Sequence, residues 1–512
     1  MASQSSLLAT DTRLRSGTRA DRKAREVARI DDEVFHLQHK VHTLLTQAAD
    51  LNFERNALVS AVDLPFEVLA SIFEFACWPD VDRRFMTSID NSFWRPLSER
   101  SRSRIPGGIR VGPLYISRVC LAWRKVALKS PKLWNSIELA VDWSRRGAQR
   151  QADLLDYWLS KSSPLPISVR LTEDWEFYEK DHDIEMPTKV IDVLQKYARR
   201  LHIAELLIPE RWRHALAYIG NHATSLTSLA LLFAFRCDSL EYINCFSDAL
   251  PLLRNVALSR NNLMSVPLPA NQIKSLHLEK VYNPLHAFHL YPNLEHCFID
   301  AEFSGIQSDG EPVEGPILRH SLTSLSLHLN NESELAEILN ILVLPNLSSF
   351  TVSLISGASP LLTMVDFFIQ SSCALKKLHL HCRTISEDDL VACLQALPTL
   401  RELTLYCEEI PRAVFELMNP RRPTESDHEM SVHWRNNIPC LVPNLEVFSC
   451  SGPVSFDSGV VIEFLEERWQ IGLQSAHLSW TGSMLDAQEK EILDRLSREG
   501  AGAYALKCDY DK

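Results

Sequence analysis

From Ile30 onward the apolar residues fall at Ile30, Val34, Leu37, Val41, Leu44, Ala48 and Leu51. Steps of four and three alternate, which is the a/d spacing of a coiled-coil seam. Asp31, Asp32, Glu33, Lys40 and Gln47 stand between them, so one stripe is apolar and the rest is solvated. The pattern predicts an amphipathic, coiled-coil-like helix over residues 26–60, behind a disordered tail at residues 1–25 rich in Ser and Arg. A seam of about three heptads is short for stable self-association. Packing back on its own chain is therefore the favoured expectation, and weak self-association through residues 30–51 the second.

A further helical block opens at Val62-Asp63-Leu64-Pro65 and runs on as Phe66-Glu67-Val68-Leu69-Ala70-Ser71-Ile72-Phe73-Glu74-Phe75. Pro65 suits a first helical turn, where its missing N–H has no partner to lose, and Asp63 is placed to cap that turn. A later block, Val119-Cys120-Leu121-Ala122-Trp123-Arg124-Lys125-Val126-Ala127, puts Val119, Cys120, Trp123, Val126 and Ala127 on one helical face. Ser130-Pro131-Lys132-Leu133-Trp134-Asn135-Ser136-Ile137 follows it directly. Between the blocks, residues 99–110 are basic, turn-rich and aperiodic, which predicts a loop over residues 78–112.

Downstream the period changes. Apolar residues at relative positions one, four and six return in Leu226-Leu229-Leu231, Leu253-Val256-Leu258, Ile273-Leu276-Leu278, Leu294-Cys297-Ile299 and Leu322-Leu325-Leu327. They go on in Leu347-Phe350-Val352, Leu375-Leu378-Leu380, Leu400-Leu403-Leu405, Leu445-Phe448-Cys450 and Leu473-Ala476-Leu478. Most intervals between copies are 20 to 28 residues, and the longer step from Leu400 to Leu445 implies an insertion. Residues 386–397 between two copies read as a helix opening on a Ser386 cap, with Asp389 three residues on and Pro398 ending it. Each unit is a strand plus a helix that cannot bury its leucines alone, so the units must stack.

The two helical blocks resemble the F-box family, with its Leu-Pro-x-Glu then Ile-Phe pattern on one helix and Val-Cys-x-x-Trp-Arg-x-x-Ala on a later one. Pro131-x-Leu133-Trp134-x-x-Ile137 is similar to what fungal members show next. The resemblance covers roughly residues 25–140. It implies a small all-α module over residues 61–140 that binds the Skp adaptor subunit and through it a cullin, with Leu64, Pro65, Ile72, Phe73, Val119, Cys120 and Trp123 at that interface. The inserted loop is a departure from a compact module.

The one-four-six pattern is the strand signature of leucine-rich repeats, although only the copy at Leu253 also carries the consensus Asn261 and Leu263. The fold expected is an α/β repeat: the N-terminal helical segment and F-box module, a linking region at 141–200, an irregular solenoid of short parallel strands plus helices over 201–482, and a C-terminal helix or cap at 483–512. In such a solenoid the third, fifth and seventh strand positions face the concave side, because strand side chains alternate. That selects His277, Glu279, Phe298, His328, Lys377, His379, His381, Glu402 and Tyr406 as the candidate substrate surface. His379 and His381 alternate on one strand, but Cys382 is out of phase with them, and no metal site is assigned.

Composition narrows the function. Of 512 residues, 46% are hydrophobic and 23% charged, and the net charge is -12, which argues against bulk binding to nucleic acid. No apolar run approaches a bilayer span, and the 12 cysteines lack C-x-x-C spacing. There is no phosphate-binding Gly-rich loop with Lys-Ser/Thr, no G-x-S-x-G and no H-E-x-x-H. The expectation is a non-catalytic substrate-recognition adaptor of a Skp-cullin-F-box ubiquitin ligase, without cofactors, binding a protein target and sited in the cytoplasm or nucleus. The alternative is a leucine-rich-repeat interaction scaffold independent of any cullin.

Overall fold

A computed structural model describes residues 19–57, 64–77, 112–141, 145–173, 188–208, 213–233, 250–259, 263, 266–281, 284–301, 318–356, 359–409, 411–420, 440–453, 458–479, 491–493, 495 and 506–509. Residues 78–111 of the expected loop at 78–112, and Asp63, lie outside these. The chain divides into two units, with residues up to 79 and 111–133 in the first and Trp134 onward in the second.

The first unit is helical: α1 (Arg19–Ala57), α2 (Phe66–Cys77), α3 (Pro113–Ile116) and α4 (Leu121–Lys129). α1 starts seven residues ahead of the expected Glu26, so part of the expected tail is helix. Arg19, Ala20, Arg22, Lys23, Ala24 and Arg25 are good helix formers, and Gly17 lies just outside. Among the described residues nothing packs on its seam, and every described α1 side chain is exposed. In α2, Leu69, Ala70, Phe73 and Cys77 form one buried stripe. Pro65 precedes the helix and its carbonyl accepts the first bond, from the Leu69 N–H at 3.0 Å.

Among the described residues the second unit holds a 14-stranded sheet whose strands follow sequence order, all paired in parallel. Its strands are β1 (Ser136–Val141), β2 (Ile167–Glu173), β3 (Leu201–Ile208), β4 (Ser228–Phe233), β5 (Asn255–Ser259), β6 (Ser275–Glu279) and β7 (His296–Asp300). They continue as β8 (Ser324–Leu329), β9 (Ser349–Leu354), β10 (Lys377–His381), β11 (Glu402–Tyr406), β12 (Val447–Ser451), β13 (Ser475–Ser479) and β14 (Leu506–Asp509). The helices between them are α5 (Arg145–Lys161), α6 (Lys189–Lys196), α7 (Arg213–His222), α8 (His286–Leu290), α9 (Glu332–Asn340), α10 (Leu361–Ser371), α11 (Glu387–Gln395), α12 (Arg412–Met418) and α13 (Ser458–Ile471). A further two-residue pair joins Leu318–Arg319 to Leu342–Val343.

Three expected boundaries change. The stretch 141–200 is no linker but holds β2, α5 and α6, and Ser136–Val141 belongs to the sheet instead of the helical module. In β2 the register slips by one residue, so that buried Ile167 pairs with Leu201 and Pro166 stays exposed; the β1 copy keeps the downstream frame, Trp134-x-x-Ile137-x-Leu139, with Trp134 standing where later copies have leucine or isoleucine. Trp134 fills that place by packing edge-on against Trp158 of α5 at 5.0 Å, and Trp158 Nε1–H donates to the Ser136 carbonyl at 3.1 Å. At the other end, the expected C-terminal cap contributes β14, which pairs with β13.

Stacking of the repeats has two causes. From Leu226 to Leu478 the residues at positions one, four and six are all 3% exposed or less, the Leu, Ile, Val and Phe among them each worth about 1.5–3 kcal/mol of burial. The helices cover that face: Phe350 of β9 meets Phe367 and Phe368 of α10, and Phe448 of β12 meets Phe415 and Phe464. The second cause is a backbone ladder. The position-two carbonyls of Thr227, Arg254, Lys274, Glu295, Thr323, Ser348, Lys376, Arg401 and Glu446 each accept two consecutive N–H groups from the next copy. Each of these repeat edges is thereby satisfied by its neighbour. The helix at 387–395 stands as expected, but Ser386 makes no side-chain cap bond; Asn331 caps α9 instead, accepting from the Glu334 N–H at 3.1 Å.

Candidate functional site

Two surfaces answer to the residues singled out above, one in each unit. In the helical unit the seven adaptor-binding candidates separate by burial. Leu64, Pro65, Ile72 and Val119 are exposed, Ile72 and Val119 by 47% and 52%. Phe73 is buried, and the half-buried Trp123 ring packs on it at 5.0 Å. Cys120 caps α4, its Sγ accepting from the Trp123 N–H at 3.4 Å. Phe73 and Cys120 therefore hold the module together, and Trp123 joins the two helices.

Sequence reasoning missed further exposed apolar residues on α2 and α4, among them Phe66, Val68, Phe75 and Leu121. Val68, Ile72 and Phe75 stand at i, i+4 and i+7, a stripe of α2 that runs alongside the buried one. The helix is thus apolar on two neighbouring stripes, and the described residues cover only one. That excess width, more than the roughly 100° a packed surface helix shows, is readable in the Phe66–Phe75 run itself.

In the sheet unit the registers place one side chain per strand into lateral rows on the face turned away from the helices. One row runs Glu138, Arg170, Glu205, Ala230, Ala257, His277, Phe298, Ser326, Thr351, His379, Thr404, Ser449 and His477. The next holds Ser259, Glu279, Asp300, His328, Ser353, His381 and Tyr406. Of the candidates, His277, Phe298 and His379 share the first row, and Glu279, His328, His381 and Tyr406 the second.

Their depth is less uniform than alternation alone suggests. Glu279 is fully buried, as is Asp300 beside it in register, so Glu279 is not a solvent-facing wall residue. His328 is half-buried with Nδ1 3.7 Å from Asp300 Oδ1. His277 and Phe298 stack at 3.9 Å with planes 17° apart and act as one flat surface. Lys377 and His379 both hold Glu402, Nζ at 2.7 Å and Nε2 at 3.2 Å. The hydrogen bond from His379, helped by Lys377, draws the Glu402 carboxyl down to about 2 against the opposing effect of burial. His381 Nδ1 lies 3.2 Å from Ser353 Oγ, and its ring meets Tyr406 edge-on at 4.3 Å. Burial, and then the neighbouring His328, push the His381 imidazole below its ordinary value.

One feature of the wall lay outside the expected surface. Between Glu205, held by Arg170 at 2.5 Å, and the His277–Phe298 stack, the row passes through Ala230 and Ala257, and the face dips into a groove lined also by Ser228, Asn255 and Ser275. The signal for it was two successive alanines at position five. Among the described residues no group of three or more His, Cys, Asp or Glu is placed to hold a metal, and no helix is long and apolar enough to cross a membrane. No protein-family model matches the chain, and neither does any curated protein.

Proposed function

We propose that this chain is a non-catalytic adaptor: an F-box-like helical module docks a Skp-type subunit, and a leucine-rich-repeat-like array holds a protein target. The observation that supports it is the bare second stripe of α2. Ile72, Val68 and Phe75 are left in water beside the exposed Leu64-Pro65 entry, on a module whose core is already complete with Phe73 and Trp123. A leucine or isoleucine kept exposed forgoes roughly 1.5–3 kcal/mol of burial in the free protein, and such residues act as anchors when a partner covers them.

The target side rests on the wall of the sheet, where a polar row carries a few aromatic and charged groups and a small-residue groove. Repeat proteins hold partners on such extended faces. The mechanism in this reading is proximity: the array raises the effective concentration of a bound target near a conjugating enzyme docked through the other unit.

Co-purification of the full chain with a Skp-type adaptor tests this, with the Leu64→Ala/Pro65→Ala pair and Ile72→Asp as variants. The wild type is expected to bring the adaptor down and both variants to lose it while keeping their melting transitions. Equal recovery from all three, or from none, would leave a cullin-independent interaction scaffold as the better reading.

A further inference from the structure

Among the described residues nothing covers α1, whose 39 residues make it the longest helix. A lone helix in water draws on propensity alone and is marginal, yet this one carries its apolar side chains in strict order. Extended one step earlier, the seam has Val27, Val34, Val41 and Ala48 at the a positions and Ile30, Leu37, Leu44 and Leu51 at d. The large members of this set are between 45% and 66% exposed.

The two layers are not interchangeable. β-branched residues at a with leucine at d select two parallel strands, whereas Ile at both, or Leu at a with Ile at d, favours three or four. Val recurs at three of the four a positions and Leu at three of the four d positions. The area is also adequate: the eight side chains offer on the order of 700 Å² per helix, close to the about 800 Å² per partner of a stable interface. At the flanks a parallel pair sets each g residue against the e residue five places on in the other helix. Glu33 then meets Gln38, and Lys40 meets Leu45, whose side chain its stem can cover. The one like-charge meeting, Glu26 with Asp31, is relieved by Arg29, which holds Glu26 at 2.7 Å and Glu33 at 3.2 Å.

We propose that α1 pairs in parallel and in register with α1 of a second copy of this chain. The particle then carries two helical modules and two walls, and a target with two matching segments is held by both, the second contact being effectively intramolecular. This pairing stands on α1 alone and is independent of what the helical module docks.

Sedimentation equilibrium on the full chain at micromolar concentration tests it together with thiol cross-linking. The wild type is expected at twice the chain mass, and Val34→Asp with Leu44→Asp to halve that mass while leaving the unfolding transition of the sheet unit in place. In parallel register Leu37 opposes its own copy, so Leu37→Cys is expected to form a covalent dimer under mild oxidation, whereas Thr46→Cys, on the outer face, is not. The wild type oxidised in parallel controls for the native thiols, of which burial pushes Cys382 and Cys393 up to about 12. A monomeric wild type would mean that another segment of this chain or a different protein covers the seam, and the proposal fails. It fails equally if the double variant stays dimeric, or if Leu37→Cys cross-links no faster than Thr46→Cys.

Discussion

The Phe73 and Trp123 rings lie 5.0 Å apart and tilted by 57°, so the two sequence blocks on either side of the long insertion meet in one small core. Aromatic pairs of this kind contribute about 0.5–1.5 kcal/mol beyond their burial. Phe73→Ala is expected to destabilise the helical unit by about 3–5 kcal/mol, and Phe73→Ala with Trp123→Ala to cost less than the sum of the single changes. Ile72→Ala, one residue away but exposed, should leave the melting transition within about 0.5 kcal/mol. A thermal double-mutant cycle checks this, and strict additivity would show that the rings do not share a core.

That pair also marks the division between what was and was not legible. The Val-Cys-x-x-Trp spacing says that Trp123 lies on an apolar face, but only the fold tells that Cys120 is used as a helix cap and that Phe73 is interior. In the sheet, an apolar residue at position one announced the copies from Leu226 onward, while two earlier ones were hidden, one because Trp134 fills that place and one because a register shift after Ile167 breaks the spacing. Alternation along a strand likewise says which face Glu279 takes. How deep it lies depends on Ser259 and Asp300, its lateral neighbours in register, and pairing across long separations is not written in local pattern.

Strand phase makes a sharper test. Leu378 points into the covered face and is fully buried, while His379 beside it is half-buried on the wall. Leu378→Asp would place an unpaired carboxylate in the core and should cost ~4 kcal/mol or more, enough to unfold the array. His379→Asn keeps a donor near Glu402 and should cost about 1 kcal/mol or less. Urea unfolding followed by circular dichroism distinguishes them, and similar midpoints would mean that the phase of β10 is wrong.

Glu402 makes stability depend on acid. Its carboxyl titrates near 2 in the folded chain, below the ordinary 4.5, because His379 and then Lys377 hold the charged form. A carboxyl depressed on folding contributes stability that is fully present above about 4.5 and is lost as the pH falls towards 2. Glu402→Gln lacks that contribution at every pH. The gap in urea midpoint between wild type and variant should therefore be largest near neutrality and close as the pH drops through this window. A gap that stays constant down to the acid end would show that the charge of Glu402 is not what matters.

Arg468, on α13, is fully buried, and its guanidinium is used as a staple for backbone. Nε donates to the Met418 carbonyl at 2.6 Å, one terminal nitrogen to Pro443 at 3.2 Å, and the other to Leu441 at 2.6 Å and to Cys440 Sγ at 3.4 Å. These acceptors flank the long insertion after Leu400 on both sides, so one side chain closes the sheet unit where the repeat interval is broken. Burial lowers the Arg468 pKa from its ordinary value, but the planar fork still supplies donors in fixed directions. Arg468→Met fills similar volume and leaves the carbonyls unanswered, at about 1–3 kcal/mol for each one that water cannot reach. Arg468→Lys, a single point donor, should recover only part of that loss. Hydrogen exchange is the measurement: in Arg468→Met the amides of Leu441 and Leu445 should exchange much faster while those of β5 and β6 keep their rates, and uniform acceleration across the array would deny the local staple.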